Sequence, residues 1–550
     1  MMPELDWDAL TSICNHVRDV PTISSISLTC RTLRAVAAKR LLETHVVVLT
    51  DTRSILSFHQ FVNADRTTRL PFVCRLRIDV LPGRIDEGTR EEAVQSLLDL
   101  LQQATHLKSL VLPRPESTYR ALGSEPRFLG VISHISTLRE LALERRWAPN
   151  EEIVSNTPSR LRTLRVSLAI LSDSDAWFLE PVPLYSLLER IAPTLEVLEV
   201  IGRPVAFDNR GSNSVVFPAM RSFRVVAVSH MTPIWTEDLV RMFPVLDGTL
   251  AFEGLHCPYK EAHRRVRELN RTSQLQKTWK SLDRVIGHVN VICMLGLSCP
   301  ARHLMLDGIC GHSKGQLGDA LATIRPTHVK LSVDLSHGMH IFEGLLPPEV
   351  APRLTHLVLF LSFCDYKSML IDDDDLVDMK TAQWSAFLAE VMAALNGTRL
   401  THLRIVLRCS ITLDNWPSGS TPYSKDFLTA VRNVGEGPEG LASELMGAFP
   451  TLQYVFLTTT GDLNNDWVPP DASPPPFGPE EHASLVRQGQ WLSSSGWRSV
   501  SGTPERLASD VEEELLEAND LILTKGDHSA LQLRNPKSVT REITGWLMYD

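Results

Sequence analysis

"LTHLVL", Leu354 to Leu359, and "LTHLRI", Leu400 to Ile405, share one phrase: an apolar residue, two others, an apolar residue, one other, an apolar residue. The alternation that closes it suits a strand with one buried face, because successive strand side chains point to opposite sides. The phrase recurs along the chain. "VCRLRI" carries it on Val73, Leu76 and Ile78, and "LKSLVL" on Leu107, Leu110 and Leu112. Further copies begin at Leu138, Leu161, Leu195, Met220, Ala301 and Leu452. The early copies lie 23 to 34 residues apart, and later intervals stretch to 46 and 52. Between them come stretches of helical spacing, such as "EEAVQSLLDLLQQA" and "WSAFLAEVMAALNG".

A strand phrase plus a helix at such a period is the signature of a leucine-rich-repeat solenoid, in which stacked units share one continuous core. The copies lack the regular Asn or Cys that closes the turn in standard repeats. A non-repeat α/β domain is the other reading of the same alternation. Both give an α/β fold class, with residues 46–460 as the repeat-like domain. Two insertions read as solvated loops, "FDNRGSN" at Phe207–Asn213 and "IDDDDLVD" at Ile371–Asp378. The acidic run lacks the acid and glycine spacing of a calcium loop. From Gly461 the composition shifts to the proline-rich "WVPPDASPPPFGPEE", so 461–550 reads as a linker and tail. Trp491, Trp497, Trp546 and the amphipathic "ERLASDVEEELLEA" predict that part of the tail folds back as a cap on the repeats.

The first forty-five residues differ from all of this. Leu10, Ile13, Cys14 and Val17 fall on one helical stripe, with Asp6 or Asp8 placed to cap its start. Pro21 suits the first turn of a second helix bearing Ile23, Ile26 and Ser27. Thr29 is the expected cap of a third, with Leu33, Val36, Ala37, Arg40 and Leu41 as its stripe. Three short helices cannot bury all these stripes against one another, so some apolar surface needs another partner.

The segment "PELDWDALTSICNHVRDVPTISSISLTCRTLRAVAAKRLL" resembles an F-box, the helical module that binds the Skp1-type adaptor of a cullin ubiquitin ligase. Leu5, Asp8, Leu10, Ile13 and Val17 match the first half of the family pattern. Asp19, Val20, Ile23 and Ile26 match the middle, and Leu28, Cys30, Arg31, Leu33, Arg34 and Val36 match the last box. Asp6 stands where the family usually has proline. With the region behind it, the chain resembles the diverged leucine-rich-repeat-like F-box proteins of fungi. The resemblance implies an F-box at 1–45 and a protein substrate held by the repeat region. It implies a place in ubiquitin conjugation with no cofactor and no catalytic residue of its own. It assigns adaptor contacts to Leu5, Asp8, Leu10, Ile13, Val17, Val20, Ile23, Ile26, Leu28, Cys30, Leu33 and Val36, and through the adaptor a cullin. The alternative is a repeat scaffold without that contact.

Bulk properties agree with a protein partner. The 550 residues carry a formal charge of -10 at 43% hydrophobic content. A dedicated nucleic-acid or membrane-surface binder needs a positive footprint, which this chain lacks. Arg31, Arg34, Lys39 and Arg40 spread around the third helix instead of lining a DNA-reading face. No apolar run reaches the length of a membrane span. The N-terminus has acids where a secretory signal has cations, and the nine cysteines include no C-x-x-C pair. Cytosol or nucleus is the expected location.

Other chemistry has weaker support. "GHSKG", Gly311–Gly315, fits the Gly-x-Ser-x-Gly pattern of a serine hydrolase, with Ser313 as its nucleophile. Asp307 and Gly308 are expected to break the strand ahead of it, and Gln316 stands where a small residue is normal. Cys293, Cys299, Cys310 and His312 cluster without the spacing of a zinc knuckle. His356 and His402, inside the "LTHL" phrases, read as surface histidines or ligand contacts.

Overall fold

All ten copies of the phrase lie in or run into β-strands. The structure, a computed structural model, describes residues 7–17, 19–145, 147–158, 160–168, 182–202, 205–206, 215–230, 234–256, 260–335, 338–364, 383–412, 431, 439–464 and 490–523. It divides into two units, Met1–Pro258 and Tyr259–Asp550. That boundary falls inside the segment the sequence treats as one domain. The loops at 207–213 and 371–378, Leu5, Asp6, Trp546 and the whole proline-rich stretch at 467–481 lie outside the described residues.

In the first unit the strands are β1 (Val47–Leu49), β2 (Arg75–Ile78), β3 (Ser109–Leu112), β4 (Glu140–Leu143), β5 (Thr163–Ser167), β7 (Val197–Gly202), β9 (Ser222–His230) and β10 (Thr249–His256). They pair in that order, all parallel. A separate small ladder joins β6 (Val182–Pro183) to β8 (Val205–Ala206). Parallel neighbours require a crossover between them, and helices such as Thr52–Asn63, Arg90–Gln103 and Pro149–Asn156 supply it.

The second unit repeats the scheme with β11 (Leu282–His288), β12 (Ala301–Ile309), β13 (His328–Asp334), β14 (His356–Cys364), β15 (His402–Thr412) and β16 (Tyr454–Asn464), again parallel and in order. It ends differently. The strands β17 (Gln490–Val500) and β18 (Thr503–Arg506) add on antiparallel. Strand β16 thus runs on through Gly461 to Asn464, past the point where the composition changes.

The pleat sorts side chains into two rows. Leu304, Val329, Leu357, Leu403 and Val455 are in register across β12–β16, as are Leu306, Leu331, Leu359, Ile405 and Leu457. All ten are buried, forming one continuous apolar layer. In the first unit Leu76, Leu110, Leu141, Leu164, Leu198, Phe223 and Leu250 do the same. The expectation that Asp307 and Gly308 end their strand is corrected: β12 continues to Ile309 through a bulge between Leu306 and Ile309. Gly308 has φ +67°, and a Cβ there would strike the His288 ring at 1.9 Å, so glycine makes the bulge possible.

The three leading helices form as expected: α1 (Trp7–His16), α2 (Val20–Ser27) and α3 (Arg31–Thr44). Asp19 caps α2, accepting from Thr22 N at 2.9 Å, with Pro21 in its first turn. The cap of α3 is Cys30 and not Thr29. Cys30 Sγ accepts from Leu33 N, while the Thr29 hydroxyl turns back to Ile26 O at 2.7 Å.

Replacing Leu359 by alanine should open a cavity in the continuous layer. It is expected to cost about 2–5 kcal/mol, read as a lower urea midpoint for the second unit's unfolding.

Candidate functional site

The helical trio has a small centre. Cys14, Ile23 and Ala37 are fully buried, and Val17, Ile26, Val36 and Leu41 pack partly against them. The twelve residues assigned to adaptor contact therefore separate. Ile23 and Leu33 are buried by the chain itself, so their side chains supply packing. Leu10, Val17, Ile26, Cys30 and Val36 are half-buried, and Asp8 is exposed. Ile13 is 57% exposed, Val20 42% and Leu28 77%. Ile13 shares its stripe with Cys14, yet only Cys14 faces inward. Leu28 closes α2 as its C-cap. Arg34 Nε donates to Ser27 O and Arg40 Nε to Val17 O, so two of the basic residues brace the turns between helices. Lys39 lies 4.5 Å above the Phe72 ring, joining α3 to the strand array.

A second surface lies in the second unit, on the sheet face opposite the leucine layer. Register places His303, His328, His356, His402 and Tyr454 side by side on β12–β16. Their rings form a ladder with successive centroid separations of 4.4, 3.9, 4.2 and 5.0 Å. Thr327, Thr355 and Thr401 each place a hydroxyl 2.9 Å from the Nδ1 of the following histidine. Thr355 and Thr401 also donate to the carbonyl one strand back, at 3.2 and 3.1 Å. Each hydroxyl thus holds the ring that follows it, and at 355 and 401 it also ties that ring to the preceding strand. Burial pushes His328, His356 and His402 down to about 4, helped by neighbouring positive groups. The stack is neutral at physiological pH. His356 and His402 are thus members of a stacked row; His402 is nearly buried and neither is an isolated surface histidine.

His303 behaves oppositely. Burial would lower its pKa, but Asp283 and Asp520 more than offset it and the net shift is upward. Its Nε2 lies 3.2 Å from Asp520 Oδ2, in ion-pair contact but off the hydrogen-bond axis. Arg284 and Arg302 each reach Asp520 at 3.3 Å. Asp520 belongs to a strap that crosses this face: the helix Ser509–Ala518, then residues 519–523. Leu516, Leu521 and Leu523 are buried against Val358, Phe360, Val406 and Phe456, and Arg404 Nη1 donates to Leu521 O at 2.6 Å. Only about 10 Å³ remains open between the strap and the histidine row. The tail does fold back, across a face of the sheet and not solely onto its end.

In the first unit, charged residues on adjacent strands alternate in sign. Arg165 pairs with Glu144 at 3.4 Å and Glu199 at 2.5 Å, and Arg224 pairs with Glu253 at 2.7 Å. At the leading ends of the strands, a cleft of about 670 Å³ is lined by Lys108, Arg139, Arg160 and Arg162, with Glu196 pairing Arg162 at 3.4 Å. Such a cleft suits an anion.

Ser313 is buried at 4% exposure. Its Oγ accepts from Cys310 N at 2.9 Å and lies within reach of the Cys310 and Gly308 carbonyls. The serine ties the turn between β12 and the helix Lys314–Ile324. Cys293 and Cys299 are buried among apolar residues, and burial pushes the Cys299 thiol up to about 11. Among the described residues no cluster of three or more His, Cys, Asp or Glu could hold a metal ion, and no helix is long and apolar enough to cross a membrane. No protein-family model matches the chain, and no curated protein matches it.

The neutral histidines make stability pH-dependent. Their folded pKa lies below the unfolded value of about 6.5, so the stability they permit is present above that pH and lost as pH falls toward 4. Thermal unfolding of the second unit should drop in midpoint between pH 7 and 4.5. The drop should be shallower in a His328→Phe, His356→Phe double variant, which keeps the stack and removes two of the titrating groups.

Proposed function

We propose that this chain is the substrate-recognition subunit of a Skp1-cullin-F-box ubiquitin ligase. In this reading the leading trio of helices is an F-box that holds a Skp1-type adaptor, and the strand-and-helix array is a leucine-rich-repeat-like solenoid that holds a protein target. The chain itself carries out no chemistry. It raises the local concentration of a target lysine near a ubiquitin-loaded enzyme, which makes transfer effectively intramolecular.

One observation carries the reading: among the described residues, Ile13, Val20 and Leu28 stay exposed on helices whose shared centre is the small cluster of Cys14, Ile23 and Ala37. Large apolar side chains left in water on so small a unit are the feature expected where a second polypeptide covers them. They coincide with positions that the F-box pattern assigns to adaptor contact. The exposed Arg31, Arg34 and Lys39 nearby suit an acidic partner at the rim. The in-register parallel strands behind the trio support the repeat-like reading of the remainder.

Full-length protein should be retained on an immobilised Skp1-type adaptor. Ile13→Asp and Leu28→Asp, each placing a charge where an apolar contact is expected, should lower the affinity by roughly tenfold or more. Leu275→Asp, at a side chain 85% exposed in the second unit, should leave it unchanged. Undiminished retention by the Ile13→Asp, Leu28→Asp double variant would remove the basis of the assignment.

A further inference from the structure

The strap across the histidine row is not part of the sheet. Parallel pairing within β11–β16 is complete without it, and the antiparallel strands β17 and β18 precede it. Its helix buries only Glu512 and Leu516 and turns Asp510, Glu513 and Glu517 outward. It is held at both ends. Ser494 on β17 donates to the buried Glu512, and Leu516, Leu521 and Leu523 enter the apolar strip with Leu507 and Leu515 beside them; beyond the helix Asp520 meets Arg284, Arg302 and His303, and Arg404 grips the Leu521 carbonyl. Asp520 takes φ +53°, a left-handed conformation that glycine or asparagine would adopt more readily. That conformation ends the helix, with Asp520 N donating to Glu517 O at 3.2 Å and Leu521 N to Leu516 O at 3.0 Å, and it leaves the carboxylate facing the two arginines.

Removing the strap would bare Val358, Phe360, Val406 and Phe456 beside two arginines and a histidine. A cationic pocket next to an apolar strip is a receptor for one kind of chain: a carboxylate followed at the first and third positions by leucine-like side chains. The geometry points to this face as the chain's peptide-recognition groove, with residues 515–523, "LLEANDLIL", as a built-in competitor that a target segment of the same chemistry displaces. This rests on the reading of the array as target-binding and names the target's chemistry. The strap sets a threshold. Only a segment that supplies both the anion and the leucines outcompetes an occupant held at high effective concentration by its own linkage.

The test uses full-length chains and a fluorescent synthetic peptide, LLEANDLIL, followed by anisotropy. Asp520→Lys sets a cation against Arg284 and Arg302 and should free the groove. The peptide is expected to bind this variant at least tenfold more tightly than wild type. Changing the peptide's Asp to Asn should lose at least tenfold, as should adding Arg302→Gln to the chain. Equal binding to both chains overturns the proposal. So does unchanged amide-exchange protection of 509–523 in Asp520→Lys, which would make the strap fixed core. If Asp520→Lys fails to fold, Leu523→Ser, which removes one apolar anchor and no charge, takes its place with the same expectations. Wild-type chain that doubles in mass with concentration by exchanging straps would overturn the assignment of a foreign partner. Retention of the Skp1-type adaptor by Asp520→Lys keeps the two readings separate, since the groove proposal then stands or falls without the adaptor contact.

Discussion

A strand in a parallel ladder leaves its backbone groups unpaired until the next strand returns, and that return needs a crossover of a dozen residues or more. Most features of this chain follow from that constraint. Each crossover must cover the apolar row that its strand sends to one side, so the leucines of neighbouring strands fuse into a single layer. No unit of the array is stable alone, and the last parallel strand needs a different ending. Strand β16 obtains it from the hairpin β17–β18, whose outermost strand is four residues long and contains Pro504. A short edge strand with proline offers little for another sheet to join.

The opposite face has no such obligation, and there the two units use their side chains differently. In the first, charged residues on adjacent strands alternate in sign, so carboxylates and guanidiniums neutralise one another across the ladder. In the second, register sets identical rings on adjacent strands. In a parallel ladder a residue type repeated at one position of the phrase becomes a stack, and the threonine before His328, His356 and His402 fixes each of those rings by its Nδ1. The stack stays neutral because burial disfavours the charged form of each ring, and charges on neighbouring rings about 4 Å apart would repel as well. Only His303, at the end of the row, has carboxylates close enough to take a positive charge. The strap's acidic residue lands at that end.

Most of the array could be read from the sequence because its signal is local and repeated. Among the parallel strands, several escaped because one apolar position of the phrase is filled otherwise, and the antiparallel β17 and β18 do not carry the phrase at all. In register, Pro326 stands where β14 has Leu354, Gly287 where β12 has Leu306, and Asp247 where β9 has Met220. Missing β13 conceals His328, whereas His356 and His402 occupy the same position in two copies of the phrase, and only the register of β14 with β15 shows that their rings stack. The strap was legible only as an amphipathic stretch. Its counter-ions Arg284, Arg302 and His303 come from more than two hundred residues earlier, and no spacing rule reaches across such a separation. For the helical trio the pattern identified apolar positions but not their directions. Ile13 and Cys14 are adjacent in sequence and on one stripe, and which of them faces inward depends on where α3 lies.

Charge balance answers why an acidic chain places cations where it does. Arg284 and Arg302 lie under the strap and meet Asp283 and Asp520, so that face is closed electrostatically as well as sterically. Around α3, Arg31, Arg34 and Lys39 are exposed beside apolar side chains that are exposed too. One basic surface is covered from within the chain and the other is left open, although the chemistry of the two is alike: cations flanking leucine-sized hollows or knobs. An internal cover suits a site whose occupant must be selected, because every ligand has to exceed the affinity of the resident segment. An open surface suits a constant partner, for which a competitor would only weaken assembly. On the proposed reading, the two arrangements belong to a subunit with one permanent neighbour and one that changes.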